Sequence, residues 1–161
     1  MRAVLSIGSN MDDRRALLRR VHAEFAAEMV AASPVYSTPP WGVTDQDEFL
    51  NAVLIVEVDQ TPLELLRRGQ RLEEEAERVR VRRWGPRTLD VDVVTVFDPE
   101  EVSSADPVLT LPHPRAHERA FVLVPWLAAD PEARLQGRPV GELLAQLDPA
   151  EVADIVEVGE L

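Results

Sequence analysis

The sequence predicts an α+β domain: a ferredoxin-like β-α-β-β-α-β core with an antiparallel sheet, elaborated into a three-layer α/β/α sandwich. Three observations carry that expectation. Apolar runs with strand character alternate with two helical patterns in the required order. The second helix opens on a complete start signal, "TPLE" at 61–64. Further helical stretches at 114–128 and 139–147 remain to cover the sheet's second face.

Taken in order, "RAVLSIG" (2–8) reads as a buried strand, with Ser9 or Asn10 available to cap the helix that follows. Leu17, Leu18, Val21 and Phe25 give that helix its inward stripe. A strand is expected within 29–38, and Pro34 makes it an edge or bulged strand. Residues 38–48, "TPPWGVTDQDE", read as a loop, and "FLNAVLIVEV" (49–58) as the third strand. In the second helix Thr61 is the N-cap, Pro62 sits at N1 and Glu64 closes a capping box. Leu65, Leu66, Gly69, Leu72, Ala76 and Val79 should face inward, with the helix ending near Arg78. A fourth strand covers about 88–97. Without an internal repeat or a linker, residues 1–161 are expected to form a single domain.

The chain has 161 residues, 45% of them apolar and 29% charged, a globular composition long enough for a sizeable core. A net charge of −12 argues against nucleic acid or an anionic membrane as the main partner. No apolar run approaches the roughly 20 residues of a membrane span. The N-terminal apolar run lacks a cleavage pattern of small residues, so a cytoplasmic location is expected. There is no cysteine, which excludes thiolate metal sites. There is also no lysine, which excludes a P-loop. The basic residues are nonetheless clustered: Arg78, Arg80, Arg82, Arg83 and Arg87 lie close together, a pattern suited to a small polyanion.

Chemistry concentrates at "RRWGPRTLDVDVVTV", residues 82–96. Strand period two points Asp90 and Asp92 the same way. Two like charges on a half-buried face are costly unless a cation or arginines compensate them. Alternating carboxylates can hold Mg²⁺, which takes one or two of them together with phosphate oxygens and water. The competing reading is a solvated strand face, each Asp paired with an arginine. Arginine forks bind phosphate through parallel hydrogen bonds, although Arg71 with Glu75 is better explained as an i,i+4 helix pair. Asn51 shares a face with Phe49, Val53 and Ile55; its amide suits a heterocycle edge, or a satisfied place in the core. His113 and His117 have i,i+4 spacing but no third zinc ligand. His113 is the better phosphate partner because Pro114 suggests a helix start there, with Arg119 one to two turns on; His117 suits a structural role.

"IGSN", "YSTPPWG", "QDEFLNAV", "RVRVRRWGPRTLDVDVV" and "LPHPRAHERAFVLVP", in this order, resemble the 6-hydroxymethyl-7,8-dihydropterin pyrophosphokinases of folate biosynthesis, over about residues 4–128. The resemblance implies transfer of pyrophosphate from MgATP to the hydroxymethyl group of a reduced pterin, releasing AMP. It implies that Asp90 and Asp92 are ligands of two Mg²⁺ ions and that Arg78 and Arg87 neutralise charge during transfer. It matches Gln70, Glu73, Arg80, Trp84, Val93, His113 and Arg119 to the ATP and catalytic site. Phe49, Asn51 and Phe121 match the pterin site, the two rings sandwiching the heterocycle, and Thr38, Pro39 and Trp41 match a loop that meets it.

The expected substrates are thus ATP and a pterin, and a monomer is expected. The loops at about 39–48 and 79–87 are expected to close over them and exclude water. No side-chain base is evident, which suits a transfer driven by positioning and electrostatics. Two other classes compete: a non-catalytic ligand-binding module, and a Mg²⁺-dependent phosphohydrolase indifferent to pterin.

Overall fold

The computed structural model describes residues 1–10, 13–38, 48–79 and 89–161. The elements that position the site are β1 (Arg2–Ser9), α1 (Arg14–Glu24), β2 (Met29–Ala32), β3 (Tyr36–Thr38), β4 (Phe49–Glu57), α2 (Pro62–Val79) and β5 (Asp90–Phe97). They are followed by the small hairpin β6 (Ser104–Asp106) and β7 (Leu109–Leu111), by α3 (Ala120–Ala129), and by the short pair β8 (Arg134–Leu135) and β9 (Arg138–Pro139). The chain closes with α4 (Val140–Ala145), α5 (Pro149–Ala153) and β10 (Val156–Glu157). Among the described residues the main sheet runs β10-β3-β4-β1-β5, with β2 also paired to β4, and every pairing in it is antiparallel.

Strand alternation sorts the core into two clusters. Ala3, Leu5 and Ile7 of β1, with Ala52, Leu54 and Val56 of β4, join Leu18 and Val21 of α1 and Leu65, Leu72 and Ala76 of α2. Val4, Val53 and Ile55 join Val122, Leu123 and Trp126 of α3 and Val140 and Leu143 of α4. A strand covered on both faces is buried along its length, and β1 is buried from Ala3 onward, apolar at Ala3, Val4, Leu5 and Ile7. A bulge in β5 takes the register from Val4↔Thr95 to Leu5↔Val93. Val94 therefore falls in the second cluster while both Val93 and Val96 fall in the first.

The break at Pro34 divides the expected second strand in two. β2 pairs with the far half of β4 and β3 with its start. Ser33 bridges the gap, because its N–H donates to the Val53 carbonyl at 2.9 Å and its Oγ accepts from the Val53 N–H at 2.9 Å. The capping box of α2 is present: the Thr61 N–H donates to Glu64 Oε1 at 2.9 Å and the Glu64 N–H to Thr61 Oγ1 at 3.2 Å. Leu65, Leu72 and Ala76 are buried as expected. At Gly69 α2 approaches β5 closely enough that a Cβ would lie 3.0 Å from Val91 Cγ1.

Two helix starts differ from expectation. Neither Ser9 nor Asn10 caps α1. Ser9 remains in β1, paired with Leu50, and the cap is Asp13, whose Oδ1 accepts from the Ala16 N–H at 3.1 Å. Pro114 does not start a helix either. The His113 N–H is held by the Val94 carbonyl at 2.7 Å, the chain turns, and a 3-10 turn at Ala116–Glu118 precedes α3. Among the described residues no helix is long and apolar enough to cross a membrane.

Candidate active site

A cleft of about 380 Å³ opens on the sheet face that carries the second core cluster, beyond the end of that cluster. It gathers residues far apart in the chain: Ser6 and Gly8 from β1, Thr38 from β3, Phe49 and Asn51 from β4, and Asp90 and Asp92 from β5. Arg115, Glu118, Arg119 and Phe121 close it from the α3 side, and Glu151 of α5 reaches it from the end of the chain. The parity argument holds for the two aspartates. Asp90 lies opposite Gly8 and Asp92 opposite Ser6, so both carboxylates stand over the small residues of β1.

Phe49 and Asn51 enter the cleft from the next strand over. The Asn51 Nδ2 donates to Thr38 Oγ1 at 2.9 Å, which fixes the orientation of a 5% exposed amide. Gly8 makes room for that amide: a Cβ there would lie 2.7 Å from Asn51 Oδ1. The Arg119 guanidinium stands 5.5 Å from the centre of the Phe121 ring, tying a cation to an aromatic face.

His113 is half-buried beside this group, its Nδ1 accepting from the Arg115 N–H at 3.2 Å. Burial holds its pKa below the ordinary histidine value. The Arg119 charge adds to that, Asp92 opposes it, and Arg115 adds a smaller push. His113 is therefore neutral near pH 7.

Other expected residues lie elsewhere. Glu73 reaches from α2 to β5, where its Oε2 accepts from the Val91 N–H at 2.9 Å, between the two aspartates. Gln70 accepts from Arg67 at 2.8 Å on the α2 surface. Val93 is a core residue on the opposite sheet face, and Arg78 is exposed at the end of α2. Neither side chain lines the cleft. Pro39, Trp41, Arg80, Trp84 and Arg87 lie outside the described residues, as do the greater parts of the two loops expected to close. Sequence reasoning did not single out Ser6, Gly8, Arg115, Glu118 or Glu151. For Gly8 the available signal was its place in "IGSN"; for Glu151 no local signal exists.

The donor set suits a hard divalent cation. Two carboxylates project from one strand face, and among the described residues no group of three or more His, Asp or Glu gathers as a closed site. Such an open, oxygen-only pair leaves coordination positions for phosphate oxygens and water, the arrangement Mg²⁺ favours.

Comparison with known proteins agrees with this geometry. Residues 4–131 match the family model of 7,8-dihydro-6-hydroxymethylpterin-pyrophosphokinase. The chain is 51% identical over 162 residues to the 2-amino-4-hydroxy-6-hydroxymethyldihydropteridine pyrophosphokinase of Mycobacterium tuberculosis (strain ATCC 25618 / H37Rv), covering 93% of this chain and 86% of the relative. Its counterpart in Methylorubrum extorquens is 44% identical over 155 residues, covering 94% and 96%. Among solved structures, wild-type Plasmodium falciparum HPPK-DHPS with SDX-DHP superposes with a TM-score of 0.61 at 15% identity, a likeness of fold. That match covers 90% of this chain and 43% of the solved one, so this chain spans less than half of that longer protein. Matched across most of its length and at half identity to curated members, the chain belongs to the 7,8-dihydro-6-hydroxymethylpterin-pyrophosphokinase family.

Proposed function

We propose that the cleft between β3, β4, β1 and β5 is where this chain performs its family's reaction, pyrophosphate transfer from ATP to 6-hydroxymethyl-7,8-dihydropterin with release of AMP. The observation that carries this reading is the meeting of two unlike halves in one cavity. Asp90 and Asp92 form a carboxylate pair at the β5 side, and Phe49, Asn51 and Phe121 form an aromatic-and-amide pocket toward β3.

The chemistry divides along the same line. The rings of Phe49 and Phe121 suit the flat faces of a pterin, and the Asn51 amide, held by Thr38, suits its polar edge. Asp90 and Asp92 would hold Mg²⁺, two ions in our reading. Held there, such a metal would neutralise phosphate oxygens and lower the pKa of the attacking hydroxyl. Arg119 supplies positive charge toward the phosphates, and a neutral His113 can donate or accept a hydrogen bond there without adding charge.

Arg78, Arg80, Arg87, Gln70, Glu73, Trp84 and Val93 are assigned to the ATP side by family resemblance, and Pro39 and Trp41 to the pterin side. In the transfer the hydroxymethyl oxygen bonds to the β-phosphorus, and the bond from that phosphorus to the α–β bridging oxygen breaks. AMP leaves with the bridging oxygen, and the hydroxyl proton passes to solvent. Positioning and electrostatics do most of such work, so no side-chain base is assigned.

The same reading takes the strand order and the helices flanking it as a ferredoxin-like three-layer sandwich, a single domain over residues 1–161, acting as a cytoplasmic monomer. The supports are the antiparallel order β3-β4-β1-β5 and the two core clusters on opposite faces. The functional test follows AMP formed from MgATP with and without 6-hydroxymethyl-7,8-dihydropterin. AMP release that requires the pterin is expected. Hydrolysis indifferent to pterin would instead mark a phosphohydrolase, and no turnover would mark a binding module.

A further inference from the structure

The turn that closes the cleft from the α3 side is anchored to β5. The His113 N–H donates to the Val94 carbonyl at 2.7 Å, and Val94, two residues beyond Asp92, belongs to the core cluster on the cleft's own face. The Arg115 N–H donates in turn to His113 Nδ1 at 3.2 Å, and the Ala116 N–H to the His113 carbonyl at 3.1 Å. Hydrogen bonds through His113 thus join the Arg115 backbone to the strand that carries both aspartates. That strand ends the order β3-β4-β1-β5, so Arg115 lines the cleft at its aspartate side. Besides burial, the charges of Arg119, Asp92 and Arg115 all act on the His113 ring, which keeps the Arg115 charge in the neighbourhood of Asp92.

The Arg115 side chain is held but not used up. Its Nε donates to Glu118 Oε1 at 2.8 Å, and among the described residues neither Nη group has a partner. An exposed pair of this kind contributes little to folding. It does fix one edge of the guanidinium and leaves the Nη1–Nη2 edge open, a fork of two parallel N–H donors that matches a phosphate. Charge makes the same demand. Among the described residues the cleft sets Asp90, Asp92, Glu118 and Glu151 against Arg115 and Arg119. A triphosphate is repelled by such a lining unless its cations face the phosphates directly.

We propose that Arg115 is a further ATP-binding residue: with Nε held by Glu118, its Nη1–Nη2 edge donates two hydrogen bonds to a phosphate of the triphosphate. This rests on the functional reading above. The test measures KM for MgATP and for the pterin in wild type, Arg115→Gln and Arg115→Lys. It also measures the affinity of a non-transferable ATP analogue with Mg²⁺ by calorimetry, and the melting temperature of each protein.

Loss of a bidentate, solvent-exposed contact should raise the ATP KM of Arg115→Gln about five- to tenfold and weaken the analogue by the same factor. The pterin KM should stay within about twofold of wild type, and the melting temperature should not move. Arg115→Lys keeps the charge without the fork and should fall between the two. An ATP KM and analogue affinity in Arg115→Gln within about twofold of wild type overturn the role of Arg115 alone. So does an equal rise in both KM values with a lowered melting temperature, which would mark a structural residue. A wild type that binds the analogue but shows no pterin-dependent AMP release overturns the functional reading instead, and analogue affinity then decides for or against Arg115.

Discussion

Two arginine-carboxylate assemblies in this molecule are put to opposite uses. The first ties α2 to the end of α1 and the turn after it. Arg68 Nε donates to Glu24 Oε1 at 3.1 Å, Nη1 to Glu28 Oε2 at 3.0 Å and to Gln60 Oε1 at 3.1 Å. Nη2 donates to Glu28 Oε1 at 2.6 Å and to the Glu24 carbonyl at 3.0 Å. All five N–H groups are used, the guanidinium lies 4.2 Å from the Phe25 ring centre, and the side chain is 14% exposed. In the cleft, among the described residues, Arg119 stands over the Phe121 ring and makes no ion pair, and Arg115 pairs only with Glu118, three positions along the chain.

A partly buried arginine with every donor satisfied rigidifies a junction and has nothing left to offer a ligand. Charges held in place without full partners contribute little to folding and keep their binding capacity for substrate. The two regions should therefore separate cleanly when stability and turnover are measured on the same variants.

The largest effect is expected in the cleft. Asp90→Asn and Asp92→Asn should each lower pterin-dependent AMP release by at least about 100-fold, roughly 3 kcal/mol of transition-state stabilisation. In Asp92→Asn the melting temperature should stay at or above that of wild type, because a like-charge repulsion is removed. Either variant turning over at the wild-type rate would break the comparison at its functional side.

Arg68→Ala should do the reverse. Removing the arginine strands Glu28 in a partly desolvated place and leaves Glu24 only its exposed partner Arg71, at a cost of about 2 kcal/mol in denaturant unfolding. KM and kcat should be unchanged, and a variant as stable as wild type would show the assembly to be ornamental. Gly8→Ala sharpens the boundary between the regions. Its Cβ would displace the Asn51 amide, so the pterin KM should rise about tenfold, roughly 1.4 kcal/mol, while the ATP KM stays put. Equal rises in both would mean that Gly8 serves the sheet and not the pterin pocket.

The smallest effect is in pH dependence. Hydrogen bonds from Arg68 chiefly hold the Glu28 pKa below its ordinary 4.5, with desolvation opposing and the Arg68 charge assisting. A carboxylate depressed in the folded state binds fewer protons there than when unfolded. Its stabilisation is present above pH 4.5 and is lost as pH falls through the folded-state value. Urea unfolding of wild type should therefore weaken with acid across that window, and in Arg68→Ala the slope should be shallower. Identical slopes would detach Glu28 from the assembly.

Local signals carried much of this into the sequence. Thr61 and Glu64 announced the start of α2, and strand parity placed Asp90 with Asp92 and Phe49 with Asn51 on shared faces. What was illegible depends on contacts across the chain. Ser9 looked like a cap but is held in β1 by Leu50, and Pro114 looked like a helix start but follows a residue pinned to Val94. Glu151 lies on a five-residue helix with no motif, and that helix packs against α3 with Glu151 lining the cleft. The Arg68 assembly was equally hidden, since its partners Glu24 and Glu28 lie 44 and 40 positions away. Arg71, expected to pair with Glu75, does so at 3.9 Å but lies closer, at 2.9 Å, to Glu24.

The claim on which the account turns is that Asp90 and Asp92 are kept as a metal ledge. Mn²⁺, a paramagnetic stand-in for Mg²⁺, can be titrated into the protein with a non-transferable ATP analogue while free Mn²⁺ is followed by electron paramagnetic resonance. Wild type should bind Mn²⁺ beyond what the nucleotide binds alone, and Asp92→Asn should bind it at least about tenfold more weakly. Equal binding by the two proteins would contradict the account.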